Sequence, residues 1–338
     1  MANSEYKYDI TIGILAMEGR GFEYPTDSII ASNGHIYVGN KSRDYGERGV
    51  RISNLDYESE YYGSFGHYGF DEGNLISPNG LAEDLNNRLF VSDDYTHQIS
   101  YYSLEGVFLG RWGKHGTNPG ELDYPSGIAF NSKNHLYIAD SKNHRIQVFT
   151  PEGNFLKSFG SLGNKKGQFN LPWGIFINKH DELFVADWGN NRIQKFSNDE
   201  HVKTYSCKSD NSTYLNHPSS VTELNSGNIV VADWGNETVK ILSAQDNLIQ
   251  EFRGESGISK WANAFLETNV EENETRKISN LENLDAISEL VDPHSISAHI
   301  EKYFWSPVSV KLDSKERLYV TESNRHRIQV YSQIKRSD

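Results

Sequence analysis

A proline that opens a β-rich run recurs at Pro25, Pro78, Pro125, Pro172, Pro218 and Pro307, at intervals of 53, 47, 47, 46 and 89 residues by subtraction. Each proline leads into an apolar run, then a turn, then a second run that ends in Asn40, Asp93, Asp140, Asp187, Asp233 or Glu322. The stretch from His135 to Gly160 shows the repeating unit most fully. Leu136 to Ala139 and Ile146 to Phe149 flank a polar turn, and a Pro151-Glu152-Gly153 turn leads to a third run, Phe155 to Phe159. With the strand after the proline, that makes a four-stranded antiparallel sheet. Radial stacking of such units predicts an all-β, six-bladed β-propeller forming one domain over 1–338.

Two departures complete the scheme. Tyr6 to Ile14 alternates strictly, with Tyr6, Tyr8, Ile10, Ile12 and Ile14 on one face, so it reads as a strand. The last repeat stops after its third strand, so this N-terminal strand is expected to supply the fourth and close the ring without a long open edge. The interval of 89 holds an insertion at 255–304, whose apolar spacing predicts helices at Ile258 to Leu266, Leu281 to Val291 and Ile296 to Phe304. It carries ten acids and four bases, 4 − 10 = −6 of the net −13. Strand direction puts this insertion, the proline-led entries and the loops between second and third strands on one face. There the insertion is expected to act as a lid or a docking element.

Composition narrows the function classes. A net charge of −13 opposes nonspecific binding to nucleic acid or to anionic membrane, both of which need a basic surface. No apolar run reaches the roughly 20 residues of a membrane span. The lone Cys207 and the absence of a basic-then-apolar leader in MANSEYKYDITIG fit a reducing, cytoplasmic setting. No P-loop, nucleophile elbow, HExxH or CxxC occurs.

Asn143-His144-Arg145-Ile146-Gln147 and Asn324-Arg325-His326-Arg327-Ile328-Gln329 are near-consensus repeat motifs, and by them the chain resembles NHL-repeat β-propellers. Ser259-Lys260-Trp261 and Phe304-Trp305 before Pro307 are similar to a subgroup of stand-alone six-bladed members. The resemblance implies a protein-interaction platform, or a small-molecule lyase, hydrolase or lactonase as in other six-bladed propellers. In the related peptide-amidating lyases the zinc histidines largely follow the opening proline. Here those positions are Thr26, Asn79, Ser126, Trp173, Ser219 and Val308, so zinc is not expected, although His217 lies one residue away.

Candidate site residues follow from breaks in the repeat. Arginine stands five residues after the acid at Asp140/Arg145, Asp187/Arg192 and Glu322/Arg327, where a bidentate pair would brace the blade. Gln98 and Thr238 replace it in blades 2 and 5, which nominates Asp93, its neighbour Asp94, and Asp233 as catalytic acids. Trp173, Trp188, Trp234 and Trp305 cluster by position on blades 4 to 6 and, with Asn79 and His217, suggest an aromatic-walled pocket for a sugar, an aromatic or a cation. Arg43 and Arg51 on blade 1 offer an anion contact, and Asp27 is a candidate ligand for calcium in the channel. His97, His144 and His326 repeat with the blade and are read as part of its motif rather than as a metal trio.

Overall fold

The structure is a computed structural model that describes residues 5–42, 48–207 and 214–334. Among the described residues the strands form six four-stranded sheets, each antiparallel in register. Blade 3 is the plainest, with strands Pro125–Phe130, Leu136–Asp140, Arg145–Phe149 and Phe155–Phe159 in spatial order. Glu5–Ile12 pairs with Arg327–Ile334 as the outermost strand of blade 6, with Ile12 opposite Ile328. The ring is therefore closed by the N-terminal strand, as its alternation predicts.

Six apolar cores hold the ring, each shared by two adjacent blades. Between blades 3 and 4, for instance, Ala139 and Ile146 pack with Ile175, Val185 and Phe196. The proline-x-glycine entry is explained by how closely the innermost strands approach around the axis. A side chain at Gly127 would bring its Cβ to 2.6 Å from the Trp173 carbonyl of blade 4.

The insertion differs in detail from its expected helices. They are α1 (Lys260–Thr268), α2 (Val270–Ile278), α3 (Leu284–Ile287) and α4 (Pro293–His299). Apolar spacing missed α2, because VEENETRKI carries no apolar stripe. Its stabilisation is electrostatic: Glu271 and Glu272 sit in the first turn and Arg276 and Lys277 in the last, matching the helix dipole. The expected long helix over 281–291 shrinks to α3, and α4 starts earlier because Asp292 caps it, accepting from Ser295 N at 2.9 Å, with Pro293 in its first turn.

Trp261 of α1 does not join the other tryptophans. It fills the seam between blades 6 and 1, edge-on to Phe22 and Tyr61, and its Nε1 donates to Ser59 O at 2.8 Å. In blade 2 the outer-strand Trp112 makes the same kind of bond, donating to Pro151 O in the corresponding turn of the next blade at 2.9 Å. Blade 6 has Ile12 at that outer-strand register, so α1 lends the aromatic ring its own strand lacks.

Candidate functional site

The residues that end the second strands, five acids and Asn40 of blade 1, are spent on structure in all six blades. Each accepts the backbone N–H of the residue two before its own opening proline: Ile76 to Asp93, Asp123 to Asp140, Asn170 to Asp187, Asn216 to Asp233, Trp305 to Glu322 and Glu23 to Asn40. This corrects the nomination of Asp93 and Asp233 as unpaired acids. Asp93 accepts four backbone N–H groups, from Ile76, Ser77, Tyr95 and Thr96. Asp233 faces Lys240 Nζ at 2.7 Å with both side chains fully buried. Asp94 is buried too, accepting from Lys41 Nζ at 2.5 Å and Asn79 Nδ2 at 2.9 Å, so both Asp94 and Asn79 are occupied.

The missing arginine of blade 2 is displaced rather than lost. Arg145 donates to the entry-loop carbonyls of Thr117, Asn118 and Glu121. Arg111, on the neighbouring outer strand of blade 2, donates to Phe70, Asp71 and Asn74, which are the same three positions one repeat earlier. Arg51 performs this duty in blade 1: it is 1% exposed and donates to the carbonyls of Ala16, Met17 and Gly21. Burial rules it out as an anion contact across the channel. Arg43 lies outside the described residues.

The histidines act as clasps between blades. His97, His144 and His326 occupy the left-handed position of the loop, and each Nδ1 accepts from the residue just before the next proline: Tyr124, Leu171 and Tyr24. Asn191 does the same for His217 N, and Glu237 for Ser306 N. Among the described residues one histidine and carboxylate group, His97, His115 and Asp123, brings its ligand atoms within 4.8 Å of one another, but His97 Nδ1 is already committed to Tyr124.

The axial cavity is small, about 20 Å³, which is near the room one water needs. Its lining includes Thr26, Asp27, Asn79, Trp173 and Lys311, and no insert residue. Asp27 does not suit calcium. It accepts from Ser28 N, Leu81 N and Ser309 Oγ, and Lys311 Nζ lies 3.3 Å away, so a cation already neutralises it.

What the top face, the one that carries the loops between second and third strands, does assemble is a ring cluster on blades 4 and 5. Trp188 and Trp234 each open the short 3₁₀ turn after a second strand, which holds both indoles half-buried with centroids 6.1 Å apart. His217 forms the third corner of the cluster, close beside Trp188 at 4.1 Å and 6.5 Å from Trp234. Its Nδ1 meets Asn216 Oδ1 at 2.6 Å; with that oxygen as acceptor, Nδ1 carries the proton and Nε2 keeps a free lone pair. Trp173 and Trp305 stand apart from this cluster, the first at the axis and the second on blade 6.

Beside the cluster, α4 packs against the turn Trp234–Asn236 and adds a group that spacing did not reveal. Glu237 Oε1 lies 2.5 Å from His294 Nδ1, and Trp305 Nε1 donates to His294 Nε2 at 2.9 Å. An indole nitrogen can only donate, so His294 carries its proton on Nδ1 toward Glu237. Burial raises the Glu237 carboxyl to about 7, against the lowering influence of His294 and the Ser306 N–H. The sequence signal was available: Glu237 stands where His144 and His326 stand in their blades.

Three segments, residues 122–149, 169–196 and 304–331, match the NHL repeat. No curated protein sequence matches the chain. Among solved structures, virginiamycin B lyase from Staphylococcus aureus is similar in fold at 11% identity, covering 98% of this chain and 100% of that one with a TM-score of 0.59. A protein of unknown function from Bacteroides thetaiotaomicron matches at 15% identity, 98% and 77% coverage and a TM-score of 0.62. A chain of a nidogen/laminin complex matches at 17% identity, 70% and 83% coverage and a TM-score of 0.52. No helix among the described residues is long and apolar enough to cross a membrane.

Proposed function

Since the chain is a six-bladed β-propeller carrying NHL repeats, we propose that it binds a small ligand with a flat or cationic face on the top of blades 4 and 5. The observation that carries this reading is the three-ring cluster of Trp188, Trp234 and His217, with His217 against Trp188 and its Nε2 unpartnered among the described residues. Half-buried indoles offer stacking and cation–π surface, and the imidazole offers a base whose tautomer is set by Asn216. If the ligand is turned over, His217 Nε2 is the group placed to take a proton, as an elimination catalysed by a lyase requires. A virginiamycin B lyase of similar fold was solved with quinupristin, which makes small-molecule chemistry a reasonable use of this scaffold.

A ligand-observed NMR screen of aromatic and cationic fragments tests it. The wild type should give hits that vanish in the Trp188→Ala/Trp234→Ala variant at unchanged melting temperature. Hits that persist in that variant would sink the reading.

A second reading, docking of a protein partner on the acidic insertion, is favoured by one observation. Ile278 is 87% and Val291 93% exposed there, and Val270 and Leu284 are exposed as well. Alanine at all four should abolish partner capture under this reading and leave fragment binding intact.

A further inference from the structure

A second cavity, of about 280 Å³, lies between the insertion and the outer edge of blade 6, distinct from the ring cluster. Ile14, Leu15, Ile258, Ala262, Phe265 and Leu266 give it an apolar wall. Arg276, Arg325, Arg327 and Glu301 supply the rest of the charge. A mostly apolar lining with a few polar groups is how small-molecule sites are built, and the volume sits at the small end of that range.

The charges do not balance. Arg276 grips Glu301 with two hydrogen bonds, at 2.9 and 2.5 Å. Arg327 grips Glu322 at 2.7 Å. Arg325 forms no ion pair with any described carboxylate, and its Nε is buried without a partner. Its nearest answering groups are the Trp305 ring, 5.2 Å from the guanidinium carbon, and the carbonyls of Ser297, Ala298 and Ile300, which Nη2 reaches.

The repeat shows that this cation is an addition. The equivalent residues of blades 3, 4 and 5 are Asn143, Asn190 and Asn236, each donating to its own blade's acid. Blade 6 replaces that asparagine with Arg325. Holding the end of α4 explains one nitrogen of the guanidinium. It leaves the net positive charge at an apolar cavity unanswered, and burial opposes that charge. The mouth is apolar as well, since Leu15 is 58%, Ile258 50% and Phe265 46% exposed.

We propose that this cavity binds a small organic anion with a hydrocarbon body, its charged end answering Arg325 and its body lying along Ile14, Ile258 and Leu266. The probes are octanoate, 1-octanol and octylammonium, titrated into the full chain by calorimetry. Octanoate should bind at least tenfold tighter than octanol, and octylammonium should not bind. Arg325→Met should erase the preference for octanoate. Leu266→Trp, which fills the cavity without touching the arginine, should abolish binding of octanoate and octanol while leaving the circular dichroism unchanged, so the test survives if Arg325→Met fails to fold. Equal affinity for octanoate and octanol, no octanoate binding by the folded wild type, or undiminished binding by Leu266→Trp would each overturn the assignment.

Discussion

Lys240 Nζ donates to Asp233 at 2.7 Å in a setting where neither side chain is exposed. Lys240 stands seven residues after the acid, where Gln147, Gln194 and Gln329 stand in other blades and donate to their own acids. Blade 5 has thus moved its cation from the fifth position to the seventh. Removing one member of a buried pair leaves an uncompensated charge, so Lys240→Ala should cost about 3 to 5 kcal/mol in urea denaturation. The double change Thr238→Arg/Lys240→Gln rebuilds the arrangement of blade 3 and should recover most of that loss. A loss below about 1 kcal/mol for Lys240→Ala would contradict the pairing.

Acid should loosen the ring at the histidine clasps. Burial lowers His326 from 6.5 to about 4, and it lowers His97 and His144 in the same direction. The unfolded chain binds the proton first as pH falls, so the contribution of His326 is complete above about 6.5 and is lost between about 6.5 and 4. Asn191 makes the same clasp without titrating. His326→Asn should therefore flatten this part of the stability profile while keeping the bond to Tyr24 N. An unchanged slope between pH 6.5 and 4 in the variant would refute the clasp as its source.

Glu237 acts with the opposite sign. Its carboxyl is raised from 4.5 to about 7, so the fold prefers the protonated form and loses stability as pH climbs through that window. The shift corresponds to a few kcal/mol at most, at about 1.4 kcal/mol per unit. Glu237→Gln keeps an acceptor for Ser306 N and should make the protein more stable than wild type at pH 8, with little difference at pH 4. Chemical denaturation at the two pH values reads this out.

Trp261 joins the insertion to the seam between blades 6 and 1 and is 5% exposed. Trp261→Ala should cost about 3 to 5 kcal/mol, the usual loss for a large buried aromatic ring. Hydrogen exchange should rise first in Glu5–Ile12, the strand that closes the ring. Exchange that rises only within α1 would show that the insertion is a separate appendage.

Much of the fold was legible because proline position and strand alternation are local signals with a fixed period. The six entries, the four-strand unit and closure by Tyr6 to Ile14 all follow from them. The site was less legible, since partners there lie across strands or blades. Lys240 could have been found by mapping the seventh position after the acid, where the other blades keep glutamine. Arg111 could not, because its equivalence to Arg145 exists only in the shared set of carbonyls that two different strands reach. Trp261 stands 200 or more residues along the chain from Phe22 and Tyr61, and only the path of α1 brings it to the ring seam beside them. His294 reaches Glu237 through a helix whose path no periodicity reveals.

The central claim is that Trp188 and Trp234 form a ligand wall, and the six indole N–H resonances of the chain report on it directly. On titration with phenyltrimethylammonium, the Trp188 and Trp234 signals should shift together and saturate. Those of Trp112 and Trp261, whose N–H groups are tied to Pro151 O and Ser59 O, should stay in place. Shifts confined to Trp112 or Trp261, or no saturating shift at Trp188 and Trp234, would contradict the account.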